Sequence, residues 1–127
     1  MNVTSEELKA TFEPMGIGYG GFHYPGEEKL GNTHRGDYAW GGLSEQVQLA
    51  MAWLSLCEKT KKINRRSGSY TLKHECERWA GSYVSNGALL MAAHLSGFRI
   101  VRTKLGGQGP NGWINIAHKG RPQRETL

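Results

Sequence analysis

Unbroken apolar stretches are short in this chain. The longest, such as Ala88–Ala93, has six residues, whereas a helix needs about 20 to cross a bilayer, so no transmembrane helix is expected. Residues 1–13 lack the basic-then-apolar order of a secretory signal, and no secretory route is expected. Cysteine is scarce. Cys57 and Cys76 allow at most one bridge, and both stand among apolar neighbours at helical spacing, as buried cytoplasmic thiols do. Metal-ligand pairs are missing too: among His23, His34, His74, His94 and His118 no two are three to five apart, and the cysteines are not two to four apart. No metal and no cofactor is expected.

Catalytic signatures are equally thin. Gly16–Gly21 is glycine-rich but does not join a buried strand to a helix start, and no Gly-Lys-Ser/Thr follows it. A Cys76–His94 pair would pull Cys76 off the apolar stripe that buries it. His74-Glu75-Cys76-Glu77 matches neither a zincin helix nor a deaminase signature. Nothing brings Glu6/Glu7, Glu27/Glu28 or Glu75/Glu77 across a cleft. The expectation is a protein that is not an enzyme; an enzyme with an unrecognised site is the third reading, tested by whether His74, His94 or His118 share a pocket.

Past Glu58, acidic residues nearly vanish. Residues 59–127 hold thirteen basic side chains against Glu75, Glu77 and Glu125, a charge of +10, while residues 1–58 hold eight acidic against Lys9, Lys29 and Arg35, a charge of −5. A basic half attracts polyanions whatever its fold. The densest cluster is Lys59, Lys61, Lys62, Arg65 and Arg66, with Lys73 and Arg78 beyond it and Arg99, Arg102, Lys104, Lys119, Arg121 and Arg124 continuing the sign. Such a cluster meets phosphates with marked salt dependence and little sequence preference, and Tyr70 is close enough to stack on an exposed base. The candidate nucleic-acid or partner-binding residues are therefore Lys59, Lys61, Lys62, Arg65, Arg66, Tyr70, Lys73, Arg102 and Lys104. The alternative is a solvated helix end and turn.

What is present otherwise fits one α+β domain: three to four helices as a core and a C-terminal β-hairpin, with residues 1–43 as a helix plus an irregular segment, 44–97 as the helical core, 98–117 as the hairpin and 118–127 as a polar tail. Thr4 and Glu7 form a capping box for a helix over 4–12, with Leu8 and Phe12 on one face. Nine of the eighteen glycines fall in 16–42, interleaved with Tyr19, Phe22, Tyr24, Tyr38 and Trp40. No helical period survives there, so irregular structure with one or two short strands is expected; its aromatics suit either an interface or a cover for the helices. A helix from Ser44 to about Lys61 follows, its stripe Leu43, Val47, Ala50, Leu54 and Cys57, then a basic turn over 64–68. Ser69 caps a second long helix with stripe Leu72, Cys76, Trp79, Ala80 and Tyr83. A third, over 88–96, is apolar nearly all round and so central, and Gly97 ends it. Residues 98–103 and 113–117 make the hairpin, around a glycine-rich loop over 106–112. Helix-turn-helix then hairpin is also the order of a winged helix, but Ala88–Leu95 offers one histidine and no Arg, Lys, Asn or Gln to read a base.

The passage Ser69-Tyr70-Thr71-Leu72-Lys73-His74-Glu75-Cys76-Glu77-Arg78-Trp79, with Tyr83-Val84-Ser85-Asn86-Gly87-Ala88-Leu89-Leu90 and Gly97-Phe98, resembles small accessory proteins of proteobacterial phages and plasmids; the likeness covers about 63–116. It implies a context and no site residues: a cytoplasmic protein of a mobile element, of the sort that blocks host defence, anti-CRISPR proteins among them. The expected function is a non-catalytic binder, monomeric or homodimeric, that inhibits a host nucleic-acid-dependent defence complex through a basic surface and meets no membrane. A general DNA- or RNA-binding accessory protein is the second reading.

Overall fold

The computed structural model describes residues 3–23, 40–103 and 109–123. Helix α1 (Ser5–Phe12) starts at the anticipated N-cap, with the Glu7 N–H donating to Thr4 Oγ1 at 3.1 Å; the Glu7 side chain accepts the Thr4 hydroxyl at 3.1 Å and not the Thr4 N–H of a full capping box. Leu8 and Phe12 are fully buried. Two-residue strands β1 (Ile17–Gly18) and β2 (Gly21–Phe22) form an antiparallel pair, the short strands expected in the glycine-rich region. Helix α2 (Leu43–Ser55) buries Leu43, Val47, Ala50, Trp53 and Leu54. Helix α3 (Ser69–Ala80) ends at Gly81 with φ 67°. Helix α4 (Asn86–Leu95) is capped by the Ser85 hydroxyl, which accepts the Ala88 N–H at 3.0 Å. Every residue from Asn86 to Ala93 is buried, so α4 is the centre against which α2 and α3 pack. Its apolar circumference leaves it no other place. The fold is mixed α+β, and no helix among the described residues is long and apolar enough to cross a membrane.

The sheet departs from the expected hairpin. Strands β3 (Lys59–Asn64), β4 (Ile100–Arg102) and β5 (Gly112–Ile116) form an antiparallel sheet in the order β3-β5-β4. The β4–β5 hairpin is there, with a third strand on the far side of β5. That strand comes from residues expected as a helix end and turn: α2 stops at Ser55 rather than near Lys61. Its apolar stripe runs out, since Leu56 is exposed and Cys57 only half-buried. Beyond them Lys59–Asn64 has nothing to bury on a helical face, while its two ends pair with β5 and side chains of Asn115 and Arg99 meet carbonyls between them.

Two smaller corrections concern α3. Its N-cap is Gly68; Ser69 is already helical, and its hydroxyl accepts the Gly112 N–H at 3.0 Å, fixing the helix start to β5. Of the expected stripe, Leu72 and Cys76 are fully buried, Trp79 and Ala80 partly so, and Tyr83 lies past the helix and is 54% exposed. Lys73 is buried in its stead.

Gly87 sets how closely the β1–β2 hairpin approaches α4. Its N–H donates to Tyr19 O at 2.9 Å, and a Cβ there would collide with the carbonyl oxygens of Gly18 and Tyr19. In an open helix, alanine would be favoured over glycine by about 1 kcal/mol. Here Gly87→Ala is expected to destabilise by about 1–3 kcal/mol through overpacking, seen as a lower urea midpoint at constant slope. A raised midpoint would mean that the hairpin yields freely.

Candidate functional site

Lys59, Lys61 and Lys62 on β3, and Arg65 and Arg66 just after it, are all exposed. A large bulge presents them. Lys59 pairs with Ile116 and Asn64 with Ile114, so Thr60–Ile63 stand opposite the single residue Asn115. The surplus chain cannot lie in the ladder and bows out of it, carrying Lys61 and Lys62 with it. Side chains hold this bow. Asn115 Nδ2 donates to Thr60 O at 2.9 Å, Asn64 Nδ2 to Ile116 O at 3.1 Å, and the Arg99 guanidinium to Lys61 O. The Thr60 hydroxyl donates to Lys62 O at 2.7 Å. Past the strand, Asn64 Oδ1 accepts the Arg66 N–H at 2.8 Å and turns the chain toward α3. None of the five cations forms an ion pair with a described residue; Lys59 Nζ lies 5.1 Å from the centre of the Phe98 ring.

The other sequence-selected residues separate from this ledge. Arg102 donates from Nε to Gly109 O at 2.8 Å and from Nη2 to His23 O at 2.6 Å, with its guanidinium 5.0 Å from the Phe22 ring centre. It ties both ends of the β4–β5 connection to the β1–β2 hairpin. Arg121 is likewise internal, paired with Glu75 at 2.8 Å. Lys104, residues 106–108 of the glycine-rich loop, Arg124 and residues 24–39 of the glycine and aromatic segment lie outside the described residues.

Lys73 and Tyr70 belong to a second feature, a cleft of about 230 Å³ lined by Tyr19, Tyr70, Lys73, Tyr83, Ser85 and Asn86, with Gly20, Pro110 and Asn111 at its edge. Tyr70 and Tyr83 are each 54% exposed. Lys73 Nζ lies 4.6 Å from the centre of the Tyr83 ring and 5.4 Å from that of Tyr70, and pairs with Glu77 Oε1 at 2.9 Å. Tyr19 and Tyr83 are nearly parallel at 6.4 Å. Partial burial raises the Tyr83 hydroxyl's pKa; the Lys73 charge opposes this and Tyr19, through charge and a hydrogen bond, reinforces it, so Tyr83 is a neutral phenol at ordinary pH. Asn86 Nδ2 donates toward Gly20 O, Pro110 O and Asn111 Oδ1 at 2.9–3.2 Å, while the buried Asn86 Oδ1 has no hydrogen-bond partner. Sequence reasoning reached Tyr70 and Lys73 but missed Tyr19, Tyr83 and Asn86, which the fold brings to them from two other stretches of chain.

His74, His94 and His118 do not share a pocket. His74 Nδ1 is 3.0 Å from Glu77 Oε2, His94 packs edge-on to Phe12 beside a different, apolar groove, and His118 is exposed. No group of three or more His, Cys, Asp or Glu suited to a metal occurs among the described residues. Burial pushes the Cys76 thiol up to about 12. It pushes Cys57 to about 11, against a downward pull from Arg121. Thiols held protonated in this way make poor nucleophiles. The helix that would read a major groove in a winged-helix arrangement, α4, is buried along Asn86–Ala93 and cannot enter one. No protein-family model matches the chain, and neither a curated protein nor a solved structure matches it.

Proposed function

We propose that this chain is a non-catalytic accessory protein of a bacteriophage or plasmid, the setting implied by the likeness over 63–116, that binds a phosphate backbone and thereby inhibits a host nucleic-acid-dependent defence complex. It would act in the bacterial cytoplasm as a monomer or homodimer. The reading rests on one observation: Lys59, Lys61, Lys62, Arg65 and Arg66 are exposed together on an edge strand and its turn, without an ion-pair partner among the described residues. Cations left unpaired keep their attraction for an outside anion, and each phosphate they neutralise releases condensed counterions. Lysines on an edge strand also discourage pairing with another strand. The bulge interrupts the ladder at the same place, so a partner is met by side chains and not by added β-structure.

The test is a salt titration of binding to unrelated DNA duplexes. The slope of log affinity against log salt is expected to be no steeper than about −4.5, the value for five phosphate contacts. Lys61→Gln with Lys62→Gln, and separately Arg65→Gln with Arg66→Gln, should each flatten it by about 1.8. Similar affinity across sequences favours the general DNA- or RNA-binding form of the proposal. Absence of binding at low salt, or slopes that neither pair alters, would overturn it and leave an acidic protein surface as the target.

A further inference from the structure

We infer that the cleft between Tyr70 and Tyr83 is a pocket for one unstacked nucleobase, so that the protein prefers single-stranded or splayed nucleic acid to a closed duplex. This rests on the phosphate-binding reading and adds to it the part of the ligand that the cations do not touch.

Size comes first. At about 230 Å³ the cleft is smaller than the roughly 300–1,000 Å³ of sites for drug-sized ligands, so it suits a single small ring system. Its rim is aromatic and open: Tyr70 and Tyr83 are both more than half exposed, unlike the fully buried Phe12 and Trp53. Lys73 Nζ lies against both rings, so their centres are no further apart than its two ring distances combined. Lys73 is held from below by Glu77 and braces both rings by cation–π attraction. Rings fixed in advance lose little entropy when a base stacks on them.

The floor is polar, and one of its groups is unsatisfied. Asn86 is 7% exposed, its amide nitrogen is surrounded by three oxygens, and its Oδ1 accepts nothing. A buried acceptor left in that state costs about 1–3 kcal/mol; it lies beneath the surface, and a turn of the Asn86 amide toward the cleft would offer it to the N–H groups along a base edge. The phosphate contacts are near at hand. Arg66 precedes Tyr70 by four residues, at most about 14 Å of extended chain, so a strand lying along Arg65 and Arg66 reaches the cleft within a few nucleotides. A basic track beside aromatic platforms is how single strands are held without sequence readout.

The experiment compares three probes in parallel: a short single-stranded DNA, the same strand carrying abasic sites, and its duplex. Tyr70→Ala and Tyr83→Ala are each expected to weaken binding of the intact strand roughly 5- to 150-fold, the worth of stacking one base. Abasic-strand and duplex affinities should change less than about twofold, and the salt slope should stay as it was, because no phosphate contact is lost. Tyr70→Phe and Tyr83→Phe should keep the affinity, since the ring and not the hydroxyl is the platform. Equal losses on all three probes, or no loss on the intact strand, would overturn the inference. If the protein binds none of the three, the phosphate-binding reading falls, and adenosine monophosphate then tests the cleft alone by NMR. Shifts confined to Tyr70, Tyr83 and Asn86 would retain the base pocket; unmoved resonances there would dismiss it.

Discussion

Arg121→Ala is expected to cost about 3–5 kcal/mol of folding stability, the range for removing one partner of a buried ion pair. The guanidinium grips Glu75 on α3 with two parallel bonds, Nε to Oε1 at 3.0 Å and Nη2 to Oε2 at 2.8 Å, and the two side chains are only 9% and 13% exposed. Nη1 also donates to Ala117 O at 3.1 Å. The next residue completes the attachment: Pro122 O accepts the indole N–H of the fully buried Trp53 at 3.1 Å. Without Arg121, the Glu75 carboxylate stays in the interior with no counter-charge, and the chain after β5 loses its anchor over Trp53. Arg121→Lys, a point charge in place of a planar fork, should recover only part of the loss. Urea unfolding of Arg121→Ala, Glu75→Ala and the double variant measures it, with the double variant expected to be more stable than the sum of the two losses predicts. A cost under about 1 kcal/mol would place the pair with exposed surface bridges instead. The salt slope of nucleic-acid binding should not move, because this arginine is spent inside the protein.

Arg121 shows what a charge count conveys and what it conceals. The sequence pattern gave the right density of positive charge around 59–66, where the structure leaves five side chains unpaired among the described residues. It could not separate these from Lys73, Arg102 and Arg121, which have the same sign but serve the interior. Their partners are Glu77, the carbonyls of His23 and Gly109, and Glu75. Only Glu77 is a sequence neighbour at helical spacing, so only that pairing could have been anticipated.

Local chemistry was legible where it was self-contained. The Thr4 N-cap, the glycine stop at Gly97 and the buried character of Ala88–Ala93 each follow from a few neighbouring residues, and each is present. The failure at 56–64 has a definite cause. Leu54 and Cys57 continue the α2 period for one more turn, and a helix was the natural extension. What decides the matter is β5, some fifty residues away, whose free edge accepts Lys59–Asn64. Asn115 and Arg99 then brace the bulge with side-chain bonds to Thr60 and Lys61, a partnership no local spacing encodes. The cleft was illegible for the same reason: Tyr19 comes from the β1–β2 turn, Tyr70 from the first turn of α3, and Tyr83 and Asn86 from the approach to α4.

Glu77→Gln is expected to lower stability at neutral pH by about 3 kcal/mol and to make its loss at alkaline pH shallower. The Glu77 carboxylate gathers three donors: Lys73 Nζ at 2.9 Å, the Val84 N–H at 3.2 Å and His74 Nδ1 at 3.0 Å. Burial alone would raise its pKa, but the Lys73 and Val84 hydrogen bonds, the Lys73 charge and His74 together take it below the ordinary 4.5. Lys73 is the mirror case. Burial alone would lower it, and the Glu77 hydrogen bond and charge carry it above 10.5. A depressed carboxyl adds stability above its unfolded value that is lost as pH falls through the folded one. A raised ammonium adds stability that is fully present below its unfolded value and is lost as pH rises through the folded one. The share of stability that Glu77 and Lys73 supply is therefore full between about pH 5 and 10 and is lost at both ends, while the buried Cys57 and Cys76 thiols, held protonated in the fold, add a loss of their own above about pH 9. Glutamine in place of Glu77 keeps the shape but removes the charge, which takes away this residue's share of the acid limb and strands the Lys73 ammonium, 7% exposed, at a cost of about 3 kcal/mol. Burial, opposed then only by Tyr83 and Tyr70, lowers the Lys73 pKa, so in the variant this lysine's share of stability climbs with pH where in the native protein it declines, and the variant's alkaline limb is the shallower one. Urea midpoints at a series of pH values distinguish the two curves. Parallel alkaline limbs in the two proteins would show that Lys73 has water enough to do without its partner, and would remove the brace on which the tyrosine cleft depends.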